Sequence, residues 1–241
     1  MSFQFESGEV LLVNKPYTWT SFDVVGKMRT IIRQRLGIRK IKIGHAGTLD
    51  PLATGLLILC TGKFTRRIDE FQGLEKEYTG TLQLGATTPS FDLETPVDQT
   101  FNLSECVPET GWGAAILHAA KQFTGTFEQV PPQFSAIKVD GKRAYESARK
   151  DVNVEIKARQ VTISVFEITR IAMPEVEFRV VCSKGTYIRS LARDFGLALG
   201  CGAHLTALCR TRIGMYHLCD AHEINDFQNL LADPSGDVRP E

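Results

Sequence analysis

Residues 44–57, Gly44-His45-Ala46-Gly47-Thr48-Leu49-Asp50-Pro51-Leu52-Ala53-Thr54-Gly55-Leu56-Leu57, set one carboxylate in a loop bounded by glycine and proline, with a histidine just upstream. The loop runs directly into an apolar stretch, so Asp50 is expected on a rigid edge at the mouth of a core. There a single acid can act as nucleophile or base. Asp-Pro alone would read as an ordinary turn, because both residues are common in turns and glycine relaxes the backbone. Other chemistries find no support in spacing. Six residues separate Gly55 from Gly62-Lys63 where a phosphate loop needs four, and Phe64 replaces the Ser/Thr that would hold magnesium. His217 and His222 fit neither a helical nor a finger-type zinc spacing, and no dinucleotide fingerprint appears, so neither metal nor cofactor is expected.

Those residues must be positioned by a chain of 241 residues, long enough for one large or two modest domains. An apolar fraction of 43% and a charged fraction of 23% are those of a globular protein. The longest apolar stretch, Leu56 to Cys60, has strand length, which excludes a membrane helix. Residues 1–10 carry Glu6 and Glu9 and lack a basic flank, so no signal peptide is expected. Cysteines 60, 106, 182, 201, 209 and 219 include no C-x-x-C pair. They read as free thiols in a reducing cytosol, which makes the expected location cytoplasmic.

The net charge is zero, but its distribution is uneven. Between Val24 and Leu49 stand Lys27, Arg29, Arg33, Arg35, Arg39, Lys40 and Lys42 without an acid, whereas Glu77 to Ala120 holds six acids and no Lys or Arg. A second basic stretch, Lys184 to Arg212, includes Arg189, Arg193 and Arg210 against Asp194 alone. Such segregation fits either a face suited to phosphates or a solvated helix face.

Val10 to Val13 reads as a strand ending in an Asn14-Lys15-Pro16 turn. Thr20 and Asp23 fit a capping box, and Val24, Val25, Met28, Ile31 and Ile32 repeat at helical spacing up to Gly37. Leu56 to Cys60 and Tyr78 to Leu84 read as strands, Thr87 to Pro108 as a surface excursion, and Ala114 to Phe123 as a helix. Phe134 to Val139 and Asp140-Gly141 read as strand and turn before a short helix, Ala144 to Arg149. Val161 to Ile171 and Val176 to Cys182 suggest an antiparallel pair around Pro174. Ile188 to Leu199 reads as a helix, Leu205 to Ile213 as a strand, Ile224 to Leu231 as a last helix, and Asp233 to Glu241 as a polar tail. Irregular mixing of strands and helices implies an α+β fold, with a mixed, mostly antiparallel central sheet flanked by helices, in one domain over 1–241.

The Asp50 segment resembles, nearly residue for residue, the active-site motif of the TruB-type tRNA pseudouridine synthases. Leu11 to Pro16 resembles that family's N-terminal motif, Lys76-Glu77-Tyr78 its tyrosine motif, and Pro131 to Lys138 its proline-rich segment. Cys182 to Arg189 resembles its arginine motif, and Gly202-Ala203-His204-Leu205 with Leu208 and Arg210 to Gly214 its closing strand. The match covers residues 9–214 in the family's order. Two departures stand out. Only 27 residues follow Gly214, so a core without the RNA-binding PUA domain is expected, and Cys209 replaces a common second arginine.

The resemblance implies a pseudouridine synthase fold and isomerisation of the T-loop uridine of tRNA, position 55, after the base is flipped out. It implies Asp50, Tyr78 and Arg189 as catalytic residues. A carboxylate in a water-poor pocket needs a nearby cation to stay ionised, and Arg189 would supply it. Tyr78 would stack on uracil and take part in proton removal. His45 would fill space beside the flipped nucleotide, Tyr187 and Leu208 would line the uracil pocket, and Lys15 with the basic helix would hold the RNA backbone. The partner implied is the tRNA T-arm, with no membrane, no protein partner and a monomeric state. Two rivals remain: a non-catalytic RNA-binding or RNA-folding protein on the same scaffold, and an N-glycoside hydrolase that would release uracil.

Overall fold

The computed structural model describes residues 3–231 apart from 38, 39, 136, 140, 151 and 153. In chain order its elements are β1 (Val10–Lys15), α1 (Ser21–Leu36), β2 (Ile43–His45), β3 (Thr54–Thr61), α2 (Ile68–Gly73), β4 (Lys76–Leu84), β5 (Ala86–Thr87), β6 (Gln99–Thr100), α3 (Gly111–Gln122) and β7 (Gly125–Gln129). There follow β8 (Lys138–Val139), β9 (Lys142–Arg143), α4 (Ala144–Ala148), β10 (Arg159–Ala172), β11 (Glu175–Cys182), α5 (Ile188–Ala198), β12 (Ala203–Ile213), β13 (Tyr216–His217) and α6 (Asp226–Leu230). Nine strands form the principal sheet, and its pairings are antiparallel except for β3 with β12 among those whose register is defined. The chain forms two compact units, one from Met1–Lys76 with Cys209–Glu241, the other from Glu77–Leu208.

In the first unit β3 is antiparallel to β1 and β2 and parallel to the end of β12. Its apolar run, Leu56 to Cys60, follows from burial on both faces. Leu57 and Leu59 join Val24, Val25, Met28, Ile31 and Ile32 of α1, with Ile224 and Phe227, in one cluster. Leu56, Ile58 and Cys60 join Ala46, Phe71 and Ile213 in another. Helix α1 begins as its sequence predicts: Asp23 N donates to Thr20 Oγ1 at 3.1 Å and Thr20 N donates to Asp23 Oδ2 at 2.8 Å. It ends at Gly37, whose φ of 65° is the left-handed conformation glycine tolerates best. Strand β1 runs two residues further than expected, through Asn14 and Lys15, because Lys15 pairs with Gly55.

In the second unit β10 is flanked by β11 and β7, both antiparallel. Phe166, Phe178, Phe195 and Phe123 form a chain of ring contacts between the sheet and helices α3 and α5. The segment expected as a surface excursion is not wholly one. Thr88, Ser90 and Asp92 are buried, and the segment contributes the β5–β6 pair. In the expected strand 134–139 only Lys138–Val139 is extended in a ladder. The expected polar tail and Asp140 of the expected turn lie outside the described residues. All six cysteines are free; Cys60, Cys182 and Cys201 are buried and Cys219 is exposed.

Candidate active site

The Asp50 loop leaves β2 at His45 and enters β3 at Thr54, and four neighbouring groups fasten it. Ser21, the first residue of α1, donates from Oγ to the Leu49 carbonyl at 3.2 Å and accepts from Leu49 N at 2.9 Å. Thr18 N donates to the Pro51 carbonyl at 2.9 Å. Lys15 is fully buried, and its Nζ donates to the carbonyls of Trp19 at 2.6 Å, Pro16 at 2.9 Å and Pro51 at 3.3 Å. Arg210, 1% exposed, donates from Nε to Leu56 O at 2.8 Å and from its two terminal nitrogens to Thr48 O at 3.4 Å and Gly47 O at 3.3 Å. One guanidinium therefore spans both limbs of the loop. Asp50 itself is partly exposed.

Close packing explains one of the glycines. Gly55 has φ 104°, and a Cβ there would lie 2.4 Å from Arg210 O and 2.8 Å from Arg210 N, so only glycine fits where β3 meets β12. Cys209, where the family commonly has arginine, pairs with Thr54 in this same ladder.

The buried cations shape the local electrostatics. Lys15 is brought down to about 8, chiefly by burial; Asp50 and Asp23 oppose that effect and Arg210 adds to it. Burial likewise lowers the His45 pKa, opposed by a hydrogen bond with the Gly47 backbone and reinforced by Arg210. The His45 ring meets the exposed Phe22 ring edge-on, with centroids 5.4 Å apart.

The first unit thus holds Lys15, His45 and Asp50 around one loop. Lys15 donates to three carbonyls and none of its surface is exposed, so in this geometry it braces the loop.

The second unit holds Tyr78, Tyr187, Arg189 and Leu208. Tyr78 is a buried residue of β4, and Leu208 is half-buried in β12. Tyr187 precedes α5, fixed by Gln129, which donates from Nε2 to Tyr187 O at 3.1 Å and accepts Tyr187 N on Oε1 at 2.8 Å. The Arg159 guanidinium carbon lies 4.6 Å from the Tyr187 ring centroid, within cation–π range. Arg189 is 3% exposed. It donates to Phe134 O at 2.8 Å and Ser90 O at 3.2 Å, and its Nε stands 3.6 Å from Asp92 Oδ2. Asp92 was not anticipated as its carboxylate neighbour.

Of the second basic stretch Lys184 is exposed, but its arginines do not form a cationic surface. Arg189 and Arg210 are buried, Arg193 pairs with Asp194 and covers the Phe91 ring, and Arg212 pairs with Glu75. Sequence reasoning also missed Ser21, Arg210, Gln129 and Asp92 as positioning groups. Their partners are mostly backbone atoms, which leave no trace in side-chain patterns.

Residues 33–188 match the TruB family pseudouridylate synthase (N terminal domain), and residues 189–238 match the tRNA pseudouridylate synthase B C-terminal domain. The chain is 55% identical over 230 residues to tRNA pseudouridine synthase B of Flavobacterium johnsoniae, covering 95% of this chain and 98% of the relative. The corresponding protein of Phocaeicola vulgatus is 55% identical over 94% of both chains. Among solved structures, a chain in the crystal structure of a Cbf5-Nop10-Gar1 complex superposes with a TM-score of 0.66 at 30% identity, over 93% of this chain and 54% of that one. A chain in the structure of an H/ACA RNP bound to a substrate RNA containing 2'-deoxyuridine superposes with a TM-score of 0.63 at 28% identity, over 93% and 53%. This chain thus spans about half the length of those solved chains. The α+β architecture with its mostly antiparallel sheet is that of pseudouridine synthases, and the chain belongs to the TruB family of pseudouridylate synthases.

Proposed function

We propose that this protein is a tRNA pseudouridine synthase that isomerises the T-loop uridine at position 55, as a monomer in the cytoplasm, with residues 1–241 as one catalytic domain. The observation that carries the reading is the bracing of the Asp50 loop by Ser21, Lys15 and Arg210, which fixes one carboxylate in a rigid, partly exposed edge. Preorganisation of this kind is what a single-acid reaction needs. The reaction breaks the bond from ribose C1′ to uracil N1, turns the base and joins C1′ to C5. The C5 proton is lost and N1 gains one, so the product is an isomer and no oxidant or phosphate donor enters.

In this reading Asp50 is the reacting carboxylate, Arg189 the cation that keeps it ionised, and Tyr78 the ring that stacks on uracil and assists proton removal at C5. His45, Tyr187 and Leu208 border the flipped nucleotide. Flipping costs a few kcal/mol, least where the base is already unstacked, as in a folded RNA loop. Relatives named tRNA pseudouridine synthase B at 55% identity support a catalyst over a non-catalytic RNA-binding protein.

The test is incubation of purified protein with an unmodified tRNA transcript, followed by site-resolved pseudouridine mapping and assay of free base. Pseudouridine at position 55 with no free uracil is expected. Uracil release would identify a glycoside hydrolase, and unmodified RNA would leave a binding protein.

A further inference from the structure

Tyr187 immediately precedes α5, and its backbone and its ring are held by different residues. Gln129 of β7 is fully buried and grips the backbone only, through Tyr187 N at 2.8 Å and Tyr187 O at 3.1 Å. A clamp on the backbone leaves both side-chain torsions open, so it does not choose where the ring points. The Tyr187 hydroxyl makes no hydrogen bond, and the ring meets no other aromatic ring, among the described residues. What the ring does meet is Arg159, the first residue of β10, whose guanidinium carbon lies over it at 4.6 Å from the centroid.

Arg159 is the ladder partner of Gln129 in the antiparallel β7–β10 pair, so two cross-strand neighbours hold one tyrosine, one by its backbone and one by its ring. The guanidinium also packs against the turn before Tyr187: a Cβ added at Gly185 would stand 3.5 Å from the same carbon. This placement has a cost. Arg159 Nε is buried without an acceptor, and the side chain forms no ion pair among the described residues, although the residue is only half-buried and has water within reach. Attraction between the cation and the face of the ring is the interaction that offsets the unpaired donor.

We propose that Arg159 is a positioning residue for the reaction: by lying over one face of the Tyr187 ring it sets the plane that receives the flipped uracil, and it leaves the opposite face and the hydroxyl edge to the base. The proposal rests on the tRNA reading given above, in which Tyr187 borders the flipped nucleotide. Arginine suits the task better than lysine, because a flat guanidinium stacks on a ring whereas an ammonium is a strongly hydrated point charge. Arg159 acts through Tyr187 and not on the RNA, so its influence belongs to the conversion step and not to RNA capture.

The test begins with the full chain labelled with 3-fluorotyrosine. Tyr187 is one of five tyrosines, and its fluorine resonance is assigned by its loss in Tyr187→Leu. Arg159→Met should shift or broaden that resonance, and Arg159→Lys should leave it nearer its wild-type position. Conversion of an unmodified tRNA transcript is then measured on unlabelled protein under saturating single-turnover conditions. It should fall about tenfold in Arg159→Met and about threefold in Arg159→Lys, within the range that a cation over a ring supplies. Affinity for the transcript should stay within about twofold of wild type, with the same salt slope. In a Tyr187→Leu background Arg159→Met should add no further loss, because the ring it acts through is gone.

An unmoved resonance would overturn the proposal, as would a loss of conversion undiminished in the Tyr187→Leu background. Weaker binding with a shallower salt slope and unchanged saturated conversion would make Arg159 a phosphate contact and overturn it too. Thermal unfolding is recorded for each variant, and if Arg159→Met does not fold, Arg159→Lys carries the same comparisons. A shifted resonance in a protein that converts no tRNA would overturn the tRNA reading while keeping Arg159 as the holder of the ring. Conversion by wild type with an unmoved resonance would do the reverse.

Discussion

Arg210 Nε and the Leu56 carbonyl lie 2.8 Å apart, while the terminal nitrogens of the same side chain reach back to Gly47 and Thr48 across the loop that carries Asp50. A buried guanidinium is thereby committed to three backbone acceptors. Removing it orphans buried carbonyls, at about 1 to 3 kcal/mol each. Arg210→Met should lower the unfolding free energy by on the order of 3 kcal/mol. Arg210→Lys should recover only part, because a compact ammonium cannot serve both limbs of the loop. Urea unfolding of the three proteins checks the order; equal midpoints with equal slopes would remove the bracing role.

Asp50→Asn preserves shape and removes charge. Conversion should fall by at least about four orders of magnitude, roughly 5 kcal/mol of barrier, with tRNA affinity retained. Single-turnover conversion by a preparation free of wild type is the measurement, and substantial turnover would defeat the assignment of Asp50.

Lys15 gives a pH signature. Its pKa in the folded protein is about 8 against an ordinary value of 10.5. Between those values the unfolded chain binds the proton and the folded chain does not, so this group's contribution to stability rises as pH rises from about 8 toward 10.5. Below about 8 the burial penalty on the charged form is fully present. Lys15→Met removes the titration, so its stability relative to wild type should worsen progressively across that window. Chemical unfolding at pH 7.5 and 10 decides it; a constant difference would mean that Lys15 titrates normally in the fold.

Arg189 tests the second unit. Its planar fork serves Ser90 and Phe134 carbonyls beside Asp92, and in the proposed mechanism its charge also supports Asp50. Arg189→Lys keeps the cation and loses the fork, so conversion should drop substantially; Arg189→Met should drop further. Thermal unfolding and RNA affinity are recorded in parallel. A folded Met variant that binds tRNA normally and converts it at the wild-type rate would leave Arg189 without a catalytic role.

What the sequence discloses and what it hides divide along physical lines. The capping box at Thr20 and Asp23, the α1 repeat and the antiparallel β10–β11 pair were legible because each depends on side-chain types at fixed spacing. The buried polar turn around Ser90 and Asp92 was not, since polarity alone suggests solvent until an arginine from a distant helix is known to be there. The brace that Lys15 makes to the Asp50 loop was hidden for a like reason. Charge is visible in sequence, but three carbonyl acceptors converging on one ammonium are not.

Helix α1 meets the loop at one end and, at the other, an open cleft of about 510 Å³ bordered by Arg29, Arg33, Lys40 and Lys42. Ser21 holds Leu49, and twelve residues later Arg33 lines the cationic concavity. At 1.5 Å per residue those positions are roughly 18 Å apart along the axis. The helix thereby sets the distance between the Asp50 loop and that cationic concavity, and an added turn would lengthen it by about 5.4 Å.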